Sequence, residues 1–144
     1  FANSPRLSNS KGHGALTITG RVTQRIGQDI FRAGLMDYWQ GSCPLTGITA
    51  TALLRASHIV PWNDCQTDAD RLDVHNGLLL SALWDAAFDR GLVTFDDGGR
   101  PQFSLALSEA GRAELRWQNL IPLTDKHKKR LAWHRQHRFV SGKE

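Results

Sequence analysis

Cysteine is scarce in this chain. Cys43 and Cys65 are the only two among 144 residues, too few for a disulfide scaffold and without the paired CxxC spacing of a structural zinc knuckle. A reducing, cytoplasmic setting is the expectation. Long apolar runs are missing as well: none approaches the ~20 residues that a membrane helix requires, so no membrane association is expected. The N-terminus has no succession of charged, apolar and small residues that reads as a signal peptide. No internal repeat is present. The chain opens on Phe1 rather than Met, and it is expected to be a fragment of a longer protein.

What is there suits one soluble domain large enough to hold a site rigidly. Hydrophobic residues make up 40% of the chain and five are tryptophans. Eighteen Lys plus Arg against fourteen Asp plus Glu give a formal charge of +4, which suits a polyanionic partner without requiring one. The clustering is more telling. Lys126, Lys128, Lys129, Arg130, Arg135, Arg138 and Lys143 crowd the end of the chain, whereas Asp64, Asp68, Asp70, Asp73, Asp85, Asp89, Asp96 and Asp97 concentrate in its middle.

Residues 1–15, rich in Ser, Asn and Gly, read as a flexible linker, and a single domain is expected over 16–144. Thr23 is a plausible N-cap for a helix over 24–40, whose apolar positions Ile26, Ile30, Leu35 and Tyr38, widened by Phe31 and Trp39, pack on the core until Gly41 stops it. A strand is expected over Leu53 to Ile59, a polar loop from Asn63 to Asp73, and a return strand from Gly77 to Leu80. A helix over 82–90 follows, with Gly91 as its C-cap. Residues 92–95 and 102–105 flank a glycine-rich turn and read as a second hairpin. Ser108 caps a helix through Trp117, and Thr124 caps a basic helix through about His137. The fold class is therefore α+β. The tryptophans read as core or helix-packing residues, Cys43 as a small buried residue and Cys65 as a loop thiol.

Three short stretches carry chemistry. His58 stands in the Ser57-His58-Ile59-Val60-Pro61 stretch, Asn76 opens Asn76-Gly77-Leu78-Leu79-Leu80, and Asp85 and Asp89 stand one helical turn apart. An imidazole with an unperturbed pKa of ~6.5 can take a proton near neutral pH. Carboxylates at i and i+4 project from one helix face and suit a hard cation such as Mg²⁺. The bland alternatives stand beside these: a structural histidine, a turn asparagine, and two solvated aspartates. Arg55, Arg71 and Arg90 lie near the motifs and can contact phosphates, with a solvated surface as the alternative. Lys126, Lys128, Lys129 and Arg130 are the better collective choice for a nucleic-acid backbone.

In combination, Ala56-Ser57-His58-Ile59-Val60-Pro61, Asn76-Gly77-Leu78-Leu79-Leu80 and Asp85-Ala86-Ala87-Phe88-Asp89-Arg90-Gly91 resemble the HNH nucleases with a ββα-metal fold. They are similar in particular to a branch that reads A-x-H-I-x-P, N-G-L-x-L and H-x-x-F-D-x-G. Gly27-Gln28, Phe31-Arg32, Cys43-Pro44-Leu45-Thr46-Gly47 and Trp133-His134-Arg135 extend the likeness to residues 21–139. The resemblance implies a hairpin-and-helix core with flanking helices and an added β-hairpin. It implies His58 as general base, Asn76 as the residue that orients the loop, and Asp85 and Asp89 as ligands of one Mg²⁺ or Mn²⁺. It further implies a DNA endonuclease leaving 5′-phosphate and 3′-hydroxyl ends, the cutting domain of a larger restriction or defence protein in which another domain selects the target. A homodimer is allowed. Two departures stand out: Asp85 occupies a position where the family usually has histidine, and Ser57 one where many relatives carry Asp or His. An impaired, merely DNA-binding module is the alternative. The expectation common to all of this is that the imidazole and the two carboxylates converge on one pocket.

Overall fold

The computed structural model describes residues 18–142; the linker expected over residues 1–15 lies outside them. The first helix, α1, spans Ile18–Tyr38. It begins earlier than its sequence suggests and carries Gly20 in its first turn, so Thr23 is an interior residue and not a cap. It ends as expected: Gln40 (φ 56°) and Gly41 (φ 67°) enter the left-handed region, and the Gly41 N–H donates to the Met36 carbonyl at 2.8 Å, a helix-ending turn that favours glycine. The buried face is also rotated from the expected one. Phe31 and Leu35 are buried, whereas Ile26 and Ile30 are each 54% exposed. Gly27 sets this rotation, since a Cβ there would stand 2.9 Å from Cη2 of Trp62; the helix docks through its glycine side.

The centre of the molecule is an antiparallel pair, β1 (Leu54–His58) and β2 (Gly77–Ser81), in which Leu54 faces Ser81 and His58 faces Gly77. Helix α1 lies against one face of it. On the other lies a helix (Ala82–Asp89) that leaves β2 without a loop and buries Trp84, Ala87 and Phe88 at i, i+3 and i+4. Full burial of a side chain such as that of Phe88 contributes roughly 1.5–3 kcal/mol. Gly91 (φ 74°) ends this helix as its sequence suggests.

The polar segment between the strands is not an irregular loop. A 3₁₀ turn (Trp62–Asp64), the short helix α2 (Asp68–Leu72) and a second 3₁₀ turn (Val74–Asn76) occupy it. Side-chain caps create this order: Thr67 Oγ1 accepts from the Asp70 N–H at 3.1 Å and Asp73 Oδ1 from the His75 N–H at 2.8 Å. With α2 placed, the Ala82–Asp89 helix is α3.

A second antiparallel pair follows, β3 (Val93–Phe95) with β4 (Pro101–Phe103). Its turn is held by Asp96 Oδ1, which accepts from the N–H groups of Gly98 and Arg100, both at 2.9 Å. Helix α4 spans Glu109–Glu114 and is capped by Ser108. It stops short of Trp117 because Leu115 leaves helical geometry at ψ 70° to bury its side chain. Helix α5 (Asp125–His137) starts at Thr124 with a capping box closed by His127. It also clamps the end of α3: His134 stacks on Phe88 at 4.1 Å and its ring nitrogens lie 2.8 Å from Thr94 Oγ1 and 3.3 Å from the Phe88 carbonyl. Trp39 and Trp84 are buried and Trp62, Trp117 and Trp133 half-buried, as packing residues should be. No helix among the described residues is long and apolar enough to cross a membrane.

Candidate active site

Asn76 is the best-held residue of the three motifs. Its Oδ1 accepts from the Val60 N–H at 2.9 Å and its Nδ2 donates back to the Val60 carbonyl at 3.0 Å. The Asn76 carbonyl takes the Ile59 N–H at 2.9 Å. These bonds fix the backbone immediately after His58, where the strand ends. Asn76 Nδ2 also lies 3.4 Å from Cys65 Sγ. Cys65, expected as a loop thiol, is buried, and that burial chiefly pushes it up to about 11.

His58 is the last residue of β1 and points toward α1. Its ring stacks on Phe31 with centroids 3.8 Å apart and planes 9° from parallel, and it meets the Trp62 ring edge-on at 5.9 Å. The stack is possible because residue 77, directly across the ladder, is glycine: a Cβ there would stand 2.8 Å from Cδ1 of Leu35 and would collide with the Phe31 ring. Nε2 lies 2.9 Å from the Arg71 carbonyl. A carbonyl only accepts, so Nε2 carries the proton and the neutral ring holds its lone pair on Nδ1. Burial lowers the imidazole to about 4, a carbonyl bond partly opposing it and the Arg71 charge reinforcing it.

Ser57, one residue earlier, points the other way, toward α3. Its hydroxyl donates to Asp85 Oδ1 at 2.5 Å. Asp85 is raised by burial and by the charge of Asp89, against the Ser57 bond and the charge of Arg55. Asp89 is raised by burial too, with Arg138 and Arg90 opposing. Two neighbouring carboxylates that resist ionisation form an oxygen-only donor set, which suits a hard divalent cation.

The expected convergence of the imidazole and the two carboxylates on one pocket is not what the hairpin builds. Successive side chains of a strand project to opposite faces, so the hairpin itself stands between the imidazole on the α1 side and the carboxylates on the α3 side. Among the described residues, no three His, Cys, Asp or Glu side chains are grouped to hold one metal ion.

The basic residues divide. Arg71 is not a free phosphate ligand: Nε donates to the Trp62 carbonyl at 3.0 Å, one terminal nitrogen to the Cys65 carbonyl at 3.0 Å and the other to Asp68 at 2.8 Å. The Arg55 guanidinium bonds the carbonyls of Ala52 and Leu54 at 3.0 and 3.1 Å, and Arg90 is exposed beside Asp89. On α5, Lys126, Lys129 and Arg130 line a groove of about 510 Å³ with Trp133, which Asn76 borders from the other side. Arg130 also bonds Asp73 at 3.0 Å. Lys128 faces away from that groove, 3.9 Å from Asp125.

Sequence reasoning overlooked the carbonyl that holds His58, because a backbone acceptor leaves no side-chain signature. It also overlooked Thr67, whose T-x-x-D spacing to Asp70 was a visible capping signal. Residues 43–96 match the family model described as HNH endonuclease. That span holds β1, α2, β2 and α3. No curated protein matches the chain.

Proposed function

From residues 43–96, which belong to the HNH endonuclease family, we propose that this chain is a DNA endonuclease that hydrolyses phosphodiesters with His58 as general base and one Mg²⁺ or Mn²⁺. The observation that carries the reading is the pair of opposed neighbours at the end of β1. His58 is held neutral with its lone pair on Nδ1, and Ser57 ties the same strand to the Asp85 carboxylate.

In this reading Nδ1 of His58 takes a proton from a water that attacks phosphorus in line. The new P–O bond forms as the bond to the 3′ oxygen breaks, and that oxygen ends as a hydroxyl while the phosphate stays on the 5′ side. Asn76 orients the backbone behind the base. Asp85 and Asp89 would hold the cation, with the Ser57 hydroxyl fixing the plane of the Asp85 carboxylate. A cation there supplies charge neutralisation at the phosphate and the departing oxygen. Lys126, Lys129 and Arg130, with Arg55 and Arg90, supply phosphate contacts, which position the duplex and read no sequence. The domain would serve as the cutting module of a larger cytoplasmic restriction or defence protein.

The test is plasmid nicking with Mg²⁺, with Mn²⁺ and with EDTA, for the wild type and for His58→Ala. Cutting that needs metal and His58 is expected; full activity in EDTA or in the variant rejects the mechanism. One observation favours a second reading, an impaired DNA-binding module: the Ser57 hydroxyl closes on Asp85 where relatives place a histidine. Activity that appears only in Asp85→His decides for it.

A further inference from the structure

Arg71 is half-buried, and two of its side-chain hydrogen bonds reach outside its own helix. Helix α2 has five residues, too few to hold a position by itself, and the last carbonyls of any helix need partners from outside it. One of those carbonyls, that of Arg71, lies 2.9 Å from His58 Nε2. The Arg71 side chain reaches in the opposite direction, donating to the carbonyls of Trp62 and Cys65, both at 3.0 Å. Its guanidinium also sits over the Trp62 ring at 5.6 Å from the centroid, and that ring meets His58 edge-on. One residue therefore touches the imidazole by its carbonyl and braces, with its side chain, the turn that walls the imidazole in.

We propose that Arg71 is a positioning residue: its guanidinium fork pins the 62–72 segment so that its own carbonyl holds the proton of His58 on Nε2 and keeps the lone pair on Nδ1. The catalytic meaning of this rests on the nuclease reading, but the tautomer itself does not. A planar fork that spans two carbonyls is a geometry that lysine cannot reproduce. The charge of the same group reinforces the effect, since it disfavours the imidazolium.

The experiment is ¹⁵N NMR of the histidine rings in the full chain, read together with plasmid nicking. Wild type is expected to show His58 as the Nε2–H tautomer. Arg71→Ala is expected to show a mixture of tautomers, and cutting lower on the order of tenfold to a hundredfold, the cost of a misplaced reacting group. Arg71→Lys, which keeps charge and stem, is expected to show the same mixture, and it takes the place of the alanine variant if that does not fold. Asp68→Ala removes only the outward bond of the guanidinium and should leave tautomer and rate as in wild type. A wild-type tautomer in both folded Arg71 variants overturns the assignment, whether or not the chain cuts. Loss of the tautomer in a chain that never cuts keeps the assignment and rejects the nuclease reading.

Discussion

The two faces of the central hairpin solve opposite problems with the same force. On the α1 side, burial acts on a base: His58, stacked on Phe31 and bonded to a carbonyl, is driven to about 4 and is neutral at physiological pH. On the α3 side, burial acts on acids: Asp85 and Asp89 are raised, each kept from ionising freely by the desolvation that lowers the histidine. Desolvation disfavours whichever form carries charge. A neutral imidazole is ready to accept a proton as it stands. A half-buried pair of carboxylates is poised for a counter-charge that the protein itself supplies only in part, through Arg55, Arg90 and Arg138. Neighbouring residues of one strand thus sit in environments that differ in what they lack.

The comparison breaks most sharply under substitutions that separate the faces. His58→Ala should lower cutting by roughly 10²–10⁴-fold, the worth of a positioned general base, with Mn²⁺ binding by calorimetry unchanged. Asp85→Asn should do the reverse to the cation: Mn²⁺ binding is lost, while the metal-free protein melts at a higher temperature near neutral pH because a reluctant charge is gone. If the two variants behave alike in both measurements, the faces are not independent.

Gly77→Ala tests the α1 face alone. A methyl group there would be driven into Phe31 and Leu35, and overpacking of this kind costs about 1–3 kcal/mol. The unfolding free energy from urea titration should fall by that much and the midpoint with it, and cutting should drop as the His58 stack is displaced. A midpoint equal to wild type would mean that the ring stack has slack the distances do not suggest.

Acidification sets the faces against one another. His58, His127 and His134 are each lowered from 6.5 to about 4 by burial, so between those values the unfolded chain binds more protons than the folded one. Stability is present above pH 6.5 and is lost as pH falls toward 4. The raised aspartates act in the other direction, since below their elevated values the folded state binds the extra protons. Thermal melts at successive pH values should therefore decline from pH 6.5 downward in wild type. In Asp85→Asn the decline should be steeper at the acid end, where the compensating carboxylate has been removed. The acid limb of kcat/KM should lie well below the usual histidine range if His58 alone sets it.

The hairpin, α3 and α5 were legible because local signals were unambiguous there: Gly91 behind α3, Thr124 before α5, and apolar runs for the strands. The rotation of α1 was not. Ile26 and Ile30 look like core residues by spacing, and only the close approach of Trp62 to Gly27 shows that the glycine side faces inward. For the site, residue types were readable and directions were not. Ser57 and His58 are adjacent in sequence, and which face each takes depends on the register with β2, a long-range property. Arg71 looked like a phosphate ligand because a guanidinium declares itself in a sequence and the carbonyls that occupy it do not.

The mildest effect expected is on α5, and it asks whether the helix engages DNA on the groove side that Asn76 borders. Lys126 and Lys129 line that groove together with Trp133, whereas Lys128 turns away toward Asp125. Each phosphate contact releases a counterion, so its loss flattens the plot of log affinity against log salt by about one unit of slope. Lys126→Ala and Lys129→Ala should each do this in gel retardation of a short duplex and weaken binding only a few-fold at moderate salt. Lys128→Ala should leave the slope as it was. Equal effects from all three lysines would mean that the helix presents a diffuse positive charge rather than one face, and the duplex would then have to be placed without reference to the groove.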